Sequence, residues 1–291
     1  MIAYALPRPA HRPIDEAAAR IRLLIQAVLP GSADPSHRPS LGHILAGRWA
    51  ALLGASWLPS VRGFMGGVDR QDVTRVVGDV IALLGEHYVE PEAAAVISRT
   101  VAASLARGRY PADASSLADA VTADLQSVNG DKHLRLLYHD DPLPERAPGD
   151  DSAERAAFAR WASQTSCGIA RVEHLPGNVG YLDIQPVLFP AATCGDAFAS
   201  AMSLVAGTEA LLIDVRQCLG GDPDTVALLC SYLHGPEPVE LTGRYERSDG
   251  RVRQYWTTPF VSGRRFGAGK PVYVLTSRTS FSGAEQLAYD L

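Results

Sequence analysis

Chemistry is most legible in this sequence at the mouth of its last helix. From Val274 to Tyr289 an apolar β-run gives way to a Ser/Thr-rich turn and then directly to a helix, with Ser282 and Gly283 at the junction. The first N–H groups of a helix lack intrahelical partners and its dipole is positive there. An attacking oxygen at Ser282 and the oxyanion it creates could therefore both be stabilised. Gly283 brings its own N–H to that oxyanion with no Cβ in the way. The competing reading is an ordinary N-cap, the usual role of serine at such a junction. A second segment, residues 209–233, is a buried strand ending in Asp214-Val-Arg, a Gly220-Gly221 turn and a helix that opens with acids. Alone, the glycine pair fits a tight turn before a helix as well as it fits a backbone site. Helix dipole and solvation explain the paired acids Asp222/Asp224 and Asp140/Asp141 better than catalysis does.

The elements that position these residues follow from hydrophobic period. Val73, Val76, Val77, Val80, Ile81 and Leu84 predict a helix over 72–85; a second runs over 91–106, and a third opens at Ser115 or Ser116 and runs to Leu125. This helical cap, residues 71–138, ends at the turn signal Asn129-Gly-Asp131 and a short strand from His133 to Tyr138. The acidic, proline-containing stretch 139–158 predicts a solvated linker. Beyond it, in 159–291, strands alternate with helices: a hairpin of 168–174 and 179–184, a helix over 195–205, a strand over 210–215, a helix over 223–233, a polar hairpin turning at 248–250 and a last strand over 271–276. That order implies a layered α/β core with its site at the C-terminal ends of strands. Residues 1–70 read as an extension of unknown role, with a helix over 15–29, a linker over 30–40 and a more apolar helix over 41–58.

Composition bounds the function. The chain has 291 residues, 46% hydrophobic and 20% charged, with a formal net charge of −5. It has no Lys/Arg block, which argues against a nucleic-acid partner. Cys167, Cys194, Cys218 and Cys230 show no metal-ligand spacing and are expected to be reduced, structural thiols. Neither a secretory signal nor an apolar run of membrane-spanning length is legible, so the expected location is cytoplasmic and no transmembrane segment is expected.

Three ordered blocks resemble the serine-peptidase family that contains the C-terminal processing proteases, the tricorn core protease and the interphotoreceptor retinoid-binding protein modules, peptidase family S41. The strand, Asp-hydrophobic-Arg, Gly-Gly, acidic-Pro, helix pattern is similar to residues 211–233. The Thr-Ser-Arg-x-x-Phe-Ser-x-x-Glu pattern is similar to Thr276–Glu285. Leu84-Gly-Glu-His-Tyr88, Val89-Glu-Pro and Asn129-Gly-Asp-Lys-His-Leu resemble the helical cap of the retinoid-binding-protein branch. The likeness covers about residues 73–291.

The resemblance implies a crotonase/ClpP-like layered core and a serine-type peptidase acting on peptide or protein substrates, with no cofactor and no metal. It makes Ser282 the nucleophile, places Gly220 and Gly221 beside Gly283 in the oxyanion hole, and points to His133 as base, with Asp131 either orienting it or capping the turn. A position just after a turn predicts that His133 is partly exposed and replaceable without loss of stability. This chain has Cys218 where relatives commonly carry Asn, and Leu219 where they carry a glycine. The lysine base of the processing proteases, or the glutamate of the tricorn branch, would fall after Leu291. The catalytic core is therefore expected to be truncated and turnover by residues 1–291 impaired. No PDZ insertion is expected, since 139–158 is too short to hold one. The alternative function is an apolar-ligand-binding module on the same fold. Fold-level analogy with crotonase-like enzymes acting on thioesters is weaker, because no adenine or phosphate site is legible.

Overall fold

Valines and leucines at helical spacing build the first part of the described chain. The computed structural model describes residues 21–24, 70–138, 152–247 and 250–291. Helix α1 (Arg70–His87) buries Val73, Val76, Val77, Val80 and Leu84. Helix α2 (Pro91–Ala106) starts with proline at its first position, where the missing N–H costs nothing. Helix α3 (Ala114–Gln126) is capped by Asp113, which accepts from Ser116 N–H at 2.8 Å. Their apolar faces meet in one core around Val77, Leu84, Ile97, Val101, Leu117, Val121, Leu125 and Leu134, all fully buried. Strand β1 (Ile21–Leu24) pairs antiparallel with β2 (Arg135–Tyr138). Thr122 ties β2 to α3 by accepting from Leu136 N–H (2.9 Å) and donating to its carbonyl (3.1 Å).

The helix expected over 15–29 is corrected at residues 21–24, which are strand. Ile-Arg-Leu-Leu suits either state, and pairing with β2 decides it over local propensity. The remainder of that helix, and the one expected over 41–58, lie outside the described residues.

The second compact unit comprises Ser152–Tyr245 and Val252–Leu291, while residues 246–251 cluster with the helical unit. It begins with α4 (Ser152–Gln164), so the stretch read as linker over 139–158 ends inside a helix. A turn at 166–168 leads into the hairpin of β3 (Ile169–Leu175) and β4 (Val179–Ile184). Then follow α5 (Ala191–Val205), β5 (Ala210–Asp214), α6 (Pro223–Leu233), the hairpin of β6 (Glu240–Glu246) and β7 (Arg251–Trp256), β8 (Val272–Leu275) and α7 (Gly283–Asp290). The sheet order is β3-β4-β5-β8, with β3 antiparallel to β4 and the others parallel. Leu182 and Ile184 on β4 and Leu211 and Ile213 on β5 are fully buried. Helix α5 lies on β3 and β4 and packs against α6, which in turn packs on α7. This is the α/β class the alternation predicts, and no PDZ-type unit is evident among the described residues.

One cysteine expectation is overturned. Cys167 and Cys194 form a disulfide, with Cα atoms 5.5 Å apart; Cys218 and Cys230 are free and buried. The bond joins the turn before β3 to the first turn of α5, a proximity that spacing along the chain does not encode.

Candidate active site

The loop after β8 is held in place by hydrogen bonds to the loop after β5. Ser280 Oγ donates to Val215 O (2.8 Å) and accepts from Ser277 N–H (2.9 Å), while Ser277 Oγ donates to Arg216 O (2.6 Å). Phe281 N–H donates to Cys218 O at 3.2 Å. The hydroxyl of Ser280 is thus committed on both sides, and the side chain is 5% exposed. Ser282, next but one, has φ 54° and ψ −115°, a conformation costly for any residue with a Cβ, and helix α7 begins at Gly283. The Ser282 N–H donates to Glu285 Oε2 at 2.8 Å, and its carbonyl accepts from Gln286 N–H at 2.9 Å.

The Gly220-Gly221 turn lies directly against this loop. Both glycines have positive φ, 102° and 137°. A Cβ on Gly220 would sit 2.7 Å from Ser282 Cβ and 2.8 Å from Phe281 O; one on Gly283 would sit 3.0 Å from Gly221 N. Backbone approach this close is open only to glycine. A strap through Leu188 fixes the turn from behind: Leu188 N–H donates to Gly220 O, and Asp222 N–H to Leu188 O, each at 2.8 Å. Asp222 then caps α6 by accepting from Thr225 N–H at 3.0 Å. Among the described residues none accepts from the backbone N–H of Gly220, Gly221 or Gly283. Ser282 and the three glycines named from the sequence are therefore brought together. The arrangement offers a hydroxyl beside unpaired N–H donors, which is what acyl transfer requires of an oxyanion site.

Electrostatics stiffen the strand end that carries the glycine turn. Asp214 accepts from Tyr181 OH (2.7 Å), Arg216 N–H (3.0 Å) and Arg216 Nη2 (2.6 Å). The Arg216 guanidinium holds the Asp214 carboxyl down at about 2. Cys218 is fully buried, donates weakly to Gly220 O, and has its thiol pushed up to about 11 by burial, so it fills space beneath the turn rather than reacting. Sequence reasoning passed over two contributors. Glu285 stands in the Ser-x-x-Glu pattern, which is a capping-box signal, and Leu188 carries no local signal for its strap.

His133 and Asp131 belong to the helical unit. Asp131 Oδ1 accepts from the His133 backbone N–H (2.9 Å) and from its ring Nδ1 (2.8 Å), and Oδ2 accepts from Tyr88 OH (3.0 Å). Asn129 Nδ2 donates to the same Tyr88 oxygen at 2.7 Å. Burial raises the cost of ionising Asp131, but hydrogen bonds from His133 and Tyr88 outweigh it and hold its carboxyl below the usual range. His133 is only 8% exposed, which corrects the expectation of a partly exposed residue. The chain packs Leu134 into the helical core immediately afterwards and draws His133 in with it.

Residues 178–291 match peptidase family S41, and residues 69–165 match the N-terminal domain of family S41 peptidases found in eukaryotic IRBP. The chain belongs to peptidase family S41. Solved structures similar to this S41 chain include a protein from Bacteroides fragilis assigned to the S41 proteases (25% identity, 42% of this chain and 35% of that one, TM-score 0.35). A protein from Parabacteroides merdae assigned as a peptidase is also similar (18% identity, 42% and 39%, TM-score 0.33), as is the photosystem II D1 C-terminal processing protease (22% identity, 42% and 30%, TM-score 0.27). The chain thus spans between 30% and 39% of the length of these structures. Among the described residues no group of His, Cys, Asp or Glu could hold a metal ion, and no helix is long and apolar enough to cross a membrane.

Proposed function

We propose that this S41 chain is a serine-type peptidase that forms an acyl-enzyme on Ser282 with peptide or protein substrates. The observation that carries the reading is the clasp between the Gly220-Gly221 turn and the Ser282 turn. It sets a hydroxyl at a strained strand-to-helix junction beside N–H groups that have no other partner among the described residues. In this reading Ser282 Oγ attacks the scissile carbonyl carbon as its proton passes to a base. The carbonyl oxygen becomes an oxyanion and accepts from Gly283 and from the Gly220-Gly221 turn; collapse then expels the amine, and water hydrolyses the ester. The base role is assigned to His133 from its Asp-x-His-Leu pattern, with Asp131 Oδ1 holding its Nδ1 at 2.8 Å.

A fluorophosphonate probe followed by peptide mapping tests the assignment. Ser282→Ala is expected to abolish labelling, while Ser280→Ala keeps a labelled Ser282. Loss of label from Ser280→Ala alone, with Ser282→Ala still labelled, overturns it.

A further inference from the structure

We infer that Glu285 is a positioning residue for Ser282, taking the Ser282 N–H so that the nucleophile turn keeps its strained backbone. The inference rests on Ser282 being the nucleophile. At φ 54° and ψ −115° the turn does not hold itself, because a residue with a Cβ relaxes toward negative φ unless neighbours prevent it. On one side the neighbour is Gly220, whose closeness to Ser282 Cβ leaves no slack. On the other it is the Glu285 carboxylate, which accepts the Ser282 N–H at 2.8 Å from the first turn of α7. The helix dipole stabilises a carboxylate there. The same bond has a second effect: with its N–H occupied, Ser282 does not serve as an oxyanion donor, and that work falls to Gly283 and the Gly220-Gly221 turn. A negative charge so near a developing oxyanion gives no electrostatic help to the reaction. What Glu285 supplies is a hydrogen-bond acceptor at a fixed reach.

That distinction sets the experiment. The rate of fluorophosphonate labelling at Ser282, the thermal midpoint, and the ¹H–¹⁵N shift of the Ser282 amide are measured for the wild-type chain, Glu285→Ala, Glu285→Gln and Asp113→Ala. Asp113 caps α3 through Ser116 and serves as a control for loss of a helix cap. Glu285→Ala is expected to move the Ser282 amide upfield and to slow labelling by about tenfold or more, as small misplacements of a reacting group do. Glu285→Gln keeps an acceptor and removes the charge, so it is expected to label at least half as fast as wild type. Asp113→Ala is expected to lower the midpoint without slowing labelling. Unchanged labelling or an unmoved Ser282 amide in Glu285→Ala overturns the positioning role alone. Failure of Glu285→Gln to rescue overturns hydrogen-bond acceptance as its basis. A slowdown of equal size in Asp113→Ala reduces Glu285 to a helix cap. A wild-type chain that labels elsewhere, or not at all, overturns the nucleophile assignment and the positioning role with it.

Discussion

Residues of one type carry unequal weight in this chain, and their neighbours say why. Gly220→Ala places a Cβ 2.7 Å from Ser282 Cβ at a φ of 102°, so the two turns must separate. Labelling at Ser282 is expected to fall by about 10²-fold or more, the scale of losing an oxyanion donor. Gly78→Ala, on the exposed side of α1 with nothing within 4 Å, is expected instead to stabilise the protein by about 0.5–1 kcal/mol and to leave labelling unchanged. Thermal unfolding and labelling rates on both variants separate the two outcomes. His133→Ala removes a buried ring bonded to a carboxylate, and the expected cost is about 2 kcal/mol. A double-mutant cycle with Asp131→Ala should show coupling, because each side chain satisfies the other. Additive losses would mean that the pair is not energetically joined.

At the scale of elements, the disulfide pins the turn at 166–168 to the start of α5. The turn in question has three consecutive positive φ values, at Ser166, Cys167 and Gly168, and Gly168 O accepts from Gln185 N–H at 2.8 Å. Residues 186–188 then run on to the strap behind the glycine turn, so the cross-link braces the approach to the site. With a sequence separation of 27, the chain-entropy estimate of its contribution is about 3.5 kcal/mol. Chemical unfolding with and without reductant is expected to show a loss of that order. Non-reducing peptide mapping should join Cys167 to Cys194. Cys218 and Cys230, with thiols pushed by burial to about 11 and about 12, should resist alkylation until the chain unfolds. Alkylation of either in the native protein at neutral pH contradicts their placement.

The whole molecule should show its electrostatics on the acid side. Asp214 titrates near 2 when folded, against an ordinary 3.8. A depressed folded pKa contributes stability that is fully present above the unfolded value and is lost as pH falls toward the folded one. Asp131 is shifted in the same direction, so both compact units carry a carboxylate of this kind. Stability is therefore expected to decline between about pH 4 and pH 2. In Asp214→Asn that decline should be shallower, and the pH 7 stability lower, as judged by denaturant midpoints across the range. An unaltered acid limb in Asp214→Asn would remove Asp214 as its source.

Hydrophobic period and turn chemistry determined much of this protein without any structure. Valine spacing gave α1, Leu-Pro-Gly-Asn gave the β3–β4 hairpin, and the run from Val274 to Tyr289 gave a serine at a helix mouth, because each signal is written in contiguous residues. The three block resemblances were legible for the same reason. Only the tertiary structure decided which segments meet. Ile21–Leu24 became a strand through its pairing with β2, Cys167 met Cys194, and His133 was drawn under the surface by Leu134. The meeting of Gly220 with Ser282, which makes a site of two turns, belongs to this second class. An amphipathic pattern states which face of an element avoids water, whereas the partner of that face, and the backbone angles of a loop clasped between two others, follow from contacts distant in sequence.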